Sequence, residues 1–112
     1  MNNWKEFKTE EEFYSIVKKS NERTQVIFKD SISCGISAHA KHKLVIGNDK
    51  LIGKADFNYL DLLSHRSISN LIALELDIRH QSPQIIILKN GIPIHTVTHH
   101  SIDPESIAEY LK

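Results

Sequence analysis

The chain is expected to fold as an α/β domain, with a central mixed sheet of about four strands flanked by helices on both faces. Three observations carry that expectation. Short apolar, β-branched runs alternate with segments of helical period, which is the pattern of strand–helix–strand crossovers on a parallel sheet. "QIIILK" at 84–89 is an unbroken apolar run of the sort buried on both faces of a sheet. Asn90-Gly91 follows at once and is a strong two-residue hairpin signal, so the last two strands pair antiparallel.

The elements can be justified in order. Thr9-Glu10-Glu11-Glu12 reads as a capping box, the Thr9 hydroxyl accepting from the first turn while Glu12 reaches back. Phe13, Ile16 and Val17 then share one face and predict a helix from about 10 to 20. "SNER" breaks it, and "TQVIFK" at 24–29 is a strand-length apolar run. Beyond Cys34, Ile36, Ala40 and Leu44 have helical spacing, with Gly47 as the stop. "DFNYLDLL" at 56–63 predicts a second buried strand. Ser64 is then expected to cap a helix whose apolar stripe is Ile68, Leu71, Ile72, Leu76 and Ile78. After the 84–89 run and its turn, "IPIHTV" supplies the hairpin partner. Asp103 as N-cap and Pro104 at the first helical position open a last helix, with Ile107, Tyr110 and Leu111 facing inward.

Bulk composition narrows the function. At 112 residues and 40% hydrophobic content, residues 1–112 are expected to form a single domain with a real core. One cysteine excludes an intrachain disulfide and a multi-cysteine zinc site. Lys and Arg balance Asp and Glu at 14 each, a poor footprint for nucleic acid. The N-terminal segment has no apolar core of a signal peptide, and no apolar run approaches membrane-spanning length. The expectation is a cytoplasmic protein with neither nucleic-acid nor membrane partners.

The chemistry centres on "KDSISCGIS" at 29–37. Strand, short loop, cysteine and helix in that order place Cys34 at or beside a helix N-terminus, where free N–H groups and the macrodipole favour an anion. A thiolate is such an anion, and sites of this kind lower a cysteine pKa and make a nucleophile. Gly35 frees a backbone N–H at the helix start. Ser37 lies three residues on, on the same face, where a C-x-x-C motif would carry its second cysteine. Its hydroxyl can donate to the Cys34 thiolate but cannot close a disulfide, so any exchange chemistry is monothiol. Pro83 immediately precedes the apolar strand, a position where proline is tolerated. His39 and His42, and the adjacent His99 and His100, lack a neighbouring cysteine or carboxylate at metal-site spacing, so no metal is expected.

The order of elements is that of the thioredoxin fold, and the chain resembles the monothiol bacilliredoxins, thioredoxin-like general-stress proteins of bacteria that make bacillithiol. The resemblance runs from Trp4 to the C-terminus. It rests on "VIFKDSISCGIS", "YLDLL", "HRSISNLIALELDI", "HQSPQIIILKNG" and "THHSI" together. It implies a disulfide oxidoreductase that removes bacillithiol from mixed disulfides on protein cysteines, with Cys34 as nucleophile. No cofactor would be bound, bacillithiol being the thiol co-substrate. The partners would be bacillithiolated proteins and a low-molecular-weight thiol that clears Cys34. It further implies that Pro83 is cis and faces the Cys34 loop, leaving the Ser82 backbone free to pair with an extended substrate. Two positions depart from the family pattern: Gly35, where proline is common, and Asp30, where histidine is frequent. Monothiol glutaredoxins, which use glutathione or an iron–sulfur cluster, are the rival. Cys-Gly-Ile-Ser differs by one residue from their Cys-Gly-Phe-Ser, but "HTVTHHSIDP" lacks the glycine pair with which they grip glutathione. A non-catalytic stress adaptor on the same fold is a third reading.

Overall fold

Strand β2 (Gln25–Asp30) forms the middle of the sheet, and all six of its residues are buried. The computed structural model describes residues 3–112. In chain order the other elements are β1 (Trp4–Glu6), α1 (Glu10–Lys19), α2 (Gly35–Ile46), β3 (Asp56–Asp61), α3 (Arg66–Leu76), β4 (Gln84–Lys89), β5 (Ile92–Thr98) and α4 (Pro104–Glu109). Short 3-10 turns occupy Asn48–Lys50 and His99–Ser101. The sheet order is β1-β3-β2-β4-β5. Strand β3 lies parallel to β1 and β2, whereas β4 is antiparallel to both β2 and β5. This is a thioredoxin-like fold with five strands rather than about four. The extra strand, β1, is three residues long and exists through its pairing of Trp4, Lys5 and Glu6 with Phe57, Asn58 and Tyr59.

Alternation along β2 divides the core. Val26 and Phe28 join Ala40 and Leu44 of α2 and Ile107 and Leu111 of the α4 segment on one face. Ile27 joins Phe13 and Ile16 of α1 and Ile68, Ile72 and Leu76 of α3 on the other. Burial of β4 from Gln84 to Leu88 agrees with its unbroken apolar run. Asn90 and Gly91 both adopt positive φ, as a two-residue turn between right-twisted strands requires. The hairpin register slips between Ile87 and Leu88, next to Pro93 on the outer strand, where a missing N–H is tolerated.

Helix α1 is capped as expected, Thr9 Oγ1 accepting from Glu12 N while a Glu12 carboxylate oxygen accepts from Lys8 N. Three helix-end expectations need correction. Ser64 does not cap α3: its hydroxyl is held by the Asp61 carboxylate, and His65 occupies the N-cap without a side-chain bond. Ile78 lies beyond α3, which ends at left-handed Asp77. Ile78 N instead bonds Ala73 O in a Schellman closure, which brings its side chain back onto the same apolar cluster. Tyr110 does not face inward; it is exposed and stacks on His95, ring centroids 3.9 Å apart.

Gly47 ends α2 for a reason of packing. Its φ is an ordinary −91°, but a Cβ there would fall 2.5 Å from Cγ of Pro104. The ring is rigid and opens α4, so it cannot swing aside. Gly47→Ala should therefore destabilise the fold by about 1–3 kcal/mol, the usual range for overpacking. A urea midpoint equal to that of the native protein would show that α4 moves freely.

Lys29 is fully buried on the α1/α3 face. Its ammonium donates to Ser69 O at 3.0 Å and lies 3.4 Å from His80 Nδ1. Burial without a carboxylate partner pushes its pKa down to about 8. The unfolded chain, with lysine at about 10.4, therefore binds more protons between pH 8 and 10, so this group makes stability rise with pH across that window. Lys29→Met abolishes the effect. The stability of the variant relative to the native protein should fall steadily from pH 7 to pH 10, measured by urea unfolding. A pH-independent difference would show that Lys29 titrates as an ordinary lysine.

Candidate functional site

Cys34 stands at the N-cap of α2. The chain leaves β2 at Asp30, turns so that Cys34 N bonds Ser31 O at 2.9 Å, and enters the helix with Ala38 N bonding Cys34 O at 3.0 Å. Extended backbone at Cys34, φ −100° and ψ 126°, sets its side chain at the open end of the first turn. The half-buried thiol makes no capping hydrogen bond of normal geometry. The Ser37 and Ile36 amides nevertheless favour its ionised form, and with the Ser37 hydroxyl they hold its pKa below the ordinary cysteine value against desolvation and the Asp30 charge. These two amides belong to the second and third helical residues, the positions an N-cap acceptor meets. The N–H expected to matter at Gly35 is one position too early.

Ser37 is fully buried, and its Oγ accepts from Ser31 N at 3.2 Å. Its hydroxyl is the polar group shared between Cys34 and the carboxylate of Asp30, favouring the charged form of each. Asp30 is itself buried. Its Oδ2 accepts from the Tyr59 hydroxyl and lies 4.0 Å from Lys41 Nζ. Lys41 Nζ also sits 5.0 Å from the centre of the Tyr59 ring. Desolvation raises the Asp30 pKa, with Asp61 adding to it, while Tyr59, Lys41 and Ser37 oppose it. Burial and the same carboxylate hold the Tyr59 phenol far above its usual range. The roles of Tyr59 and Lys41 were not legible in the sequence, since they meet Asp30 only through the β2–β3 pairing and the α2 crossover.

The Ser82–Pro83 bond is cis, and Pro83 is buried. Pairing of Lys29 with Gln84 brings the start of β4 to the end of β2, the same end of the sheet as Cys34. His99 N bonds Pro83 O at 3.1 Å. His100 is tied through its carbonyl to Lys43 Nζ at 3.2 Å, and its ring centroid is 6.1 Å from that of His39. Among the described residues, no group of three or more His, Cys, Asp or Glu side chains converges as a metal site would require. Ile32 and Ile36 are exposed on either side of Cys34 in sequence and give the thiol an apolar rim. No helix of the described residues is long and apolar enough to cross a membrane.

The architecture matches solved thioredoxin-fold proteins. One described as an oxidoreductase of that fold superposes with TM-score 0.85 at 24% identity, over 99% of this chain and 96% of its own. Thioredoxin from Malassezia sympodialis matches with TM-score 0.71 at 21% identity, over 96% and 87% of the two chains. Mitochondrial thioredoxin 3 from Saccharomyces cerevisiae matches with TM-score 0.70 at 18% identity, over 98% and 94%. At these identities the likeness concerns the fold. Fold and site together define a thioredoxin-like thiol protein with a single sulfur at the head of α2. The family model for monothiol bacilliredoxin BrxC matches residues 5–107. The chain belongs to the monothiol bacilliredoxin family.

The electrostatics can be tested on the sulfur directly. Alkylation of Cys34 followed against pH should show a midpoint below the ~8.5 of free cysteine. A midpoint at or above that value would mean that the Ser37 and Ile36 amides do not reach the sulfur.

Proposed function

We propose that this protein removes bacillithiol from mixed disulfides on protein cysteines. The reading rests on family membership together with one observation: the single cysteine of the chain caps α2 where two amides and a buried serine favour its thiolate. The Cys34 thiolate attacks the bacillithiol sulfur, the old disulfide bond breaks, and the protein cysteine departs as a thiolate that takes up a proton. Cys34 is left carrying bacillithiol in a new mixed disulfide. With Ser37 in the resolving position, a second, low-molecular-weight thiol must release it. Ser82 and Pro83 would supply backbone for pairing with the extended substrate segment, in the manner of an added strand.

Intact mass spectrometry separates the alternatives. Exposure to bacillithiol disulfide should add one bacillithiol to Cys34 faster than glutathione disulfide adds glutathione. The reverse preference would favour the glutaredoxin reading, and no adduct with either would favour a non-catalytic adaptor. Cys34→Ser should abolish transfer from a bacillithiolated protein, whereas Ser37→Ala should slow it. Transfer surviving in the serine variant would refute the mechanism.

A further inference from the structure

Asp30 is a buried carboxylate directly behind the thiol, and the exchange reaction as described leaves it without a task. Its Oδ2 is engaged by Tyr59 and faces Lys41. Its Oδ1 is buried and has no hydrogen-bond partner. Ser37, whose side chain is fully enclosed, bridges the space between this carboxylate and Cys34, anchored by the Ser31 amide. An anchored hydroxyl that accepts from a backbone N–H still has one hydrogen to donate.

We infer that Asp30 holds the proton of Cys34 during exchange, acting through the Ser37 hydroxyl. As Cys34 ionises, Ser37 passes its hydrogen to Asp30 and takes the thiol proton, so the site keeps one negative charge in all. The sulfur then bonds the incoming disulfide, the old bond breaks, and the departing thiolate recovers the proton by the same path in reverse. Two full charges side by side in a partly desolvated site repel, and sharing one proton avoids that state. The environment narrows the gap across which the proton moves: amides pull the thiol down, while burial pushes the carboxyl up. The other charged groups facing Asp30 are Lys41 on α2 and Asp61 and Tyr59 on β3. The inference rests on Cys34 being the nucleophile of the proposed function.

The test uses two small disulfides with the native protein, Asp30→Asn and Ser37→Ala. One has an alkyl thiol as leaving group, which needs a proton at neutral pH; the other releases an aromatic thiolate, which does not. Asp30→Asn and Ser37→Ala should each slow exchange with the alkyl disulfide roughly tenfold or more, the lower part of the range for proton transfer by a placed group, and the aromatic disulfide far less. Equal losses on both would overturn the inference and reduce Asp30 to a structural role. Should Asp30→Asn not fold, carboxyl NMR titration of the native protein decides. Capping Cys34 with iodoacetamide should remove one inflection from the Asp30 curve, and an unchanged curve would overturn the inference. A native protein inert toward the aromatic disulfide would instead overturn the nucleophile itself, which keeps the two failures apart.

Discussion

Strand β2 is hydrogen-bonded along both edges and covered on both faces, and the way it ends determines the chemistry of the molecule. Its last two residues are charged and buried. Alternation sends Lys29 toward α3 and Asp30 toward α2, so the two cannot neutralise each other across the sheet. Each must find partners in its own layer. Lys29 finds a carbonyl and a histidine, and its pKa falls. Asp30 finds a phenol, a distant ammonium and a serine, and its pKa rises. One turn later the chain reaches Cys34, so three residues of backbone tether a buried carboxylate to the thiol.

Two opposed influences therefore meet at the sulfur, and their ranking decides its state. The Asp30 charge disfavours a thiolate, but it acts across the Ser37 hydroxyl and is partly spent on Tyr59 and Lys41. The Ser37 and Ile36 amides act at close range and come first among the causes. Hydrogen bonding to the charged form is the stronger term at short distance, so the thiol is lowered. An aspartate in place of the family's frequent histidine therefore leaves the sulfur acidic. Gly35 in place of proline leaves the helix start intact, because the first helical N–H is not the one the sulfur uses.

The features legible in the sequence are those set by a few adjacent residues. Thr9 and Glu12 formed the capping box, 84–89 the buried strand, Asn90-Gly91 the turn and Asp103-Pro104 the helix start, because each signal is local. What failed was decided by distant residues. β1 has no run of its own and is a strand through β3. Ser64 has the right chemistry for a cap but is claimed by Asp61. Tyr110 keeps the helical spacing of an inner residue, yet α4 stops at Glu109 and the ring turns out to His95. At the site, a cysteine at the head of a helix followed by a serine was readable. The burial of Asp30 was not, since a charged residue at a strand end reads as solvated until β3 and α2 close over it.

Ser37 shows why one sulfur suffices for half a cycle and no more. A cysteine in its place could attack the mixed disulfide from within the same turn; a serine can only tune the thiol it neighbours. Every disulfide formed on Cys34 must accordingly be opened from outside, along the face that admitted the first substrate. That face is bounded by exposed Ile32 and Ile36, with the Pro83 end of β4 beside it. Apolar rims of this kind recognise a substrate by surface rather than charge, and the incoming second thiol meets the same surface once the first has left. The proposed exchange and its reversal thus share one approach to the sulfur, so whichever thiol is smaller and more abundant controls the second half.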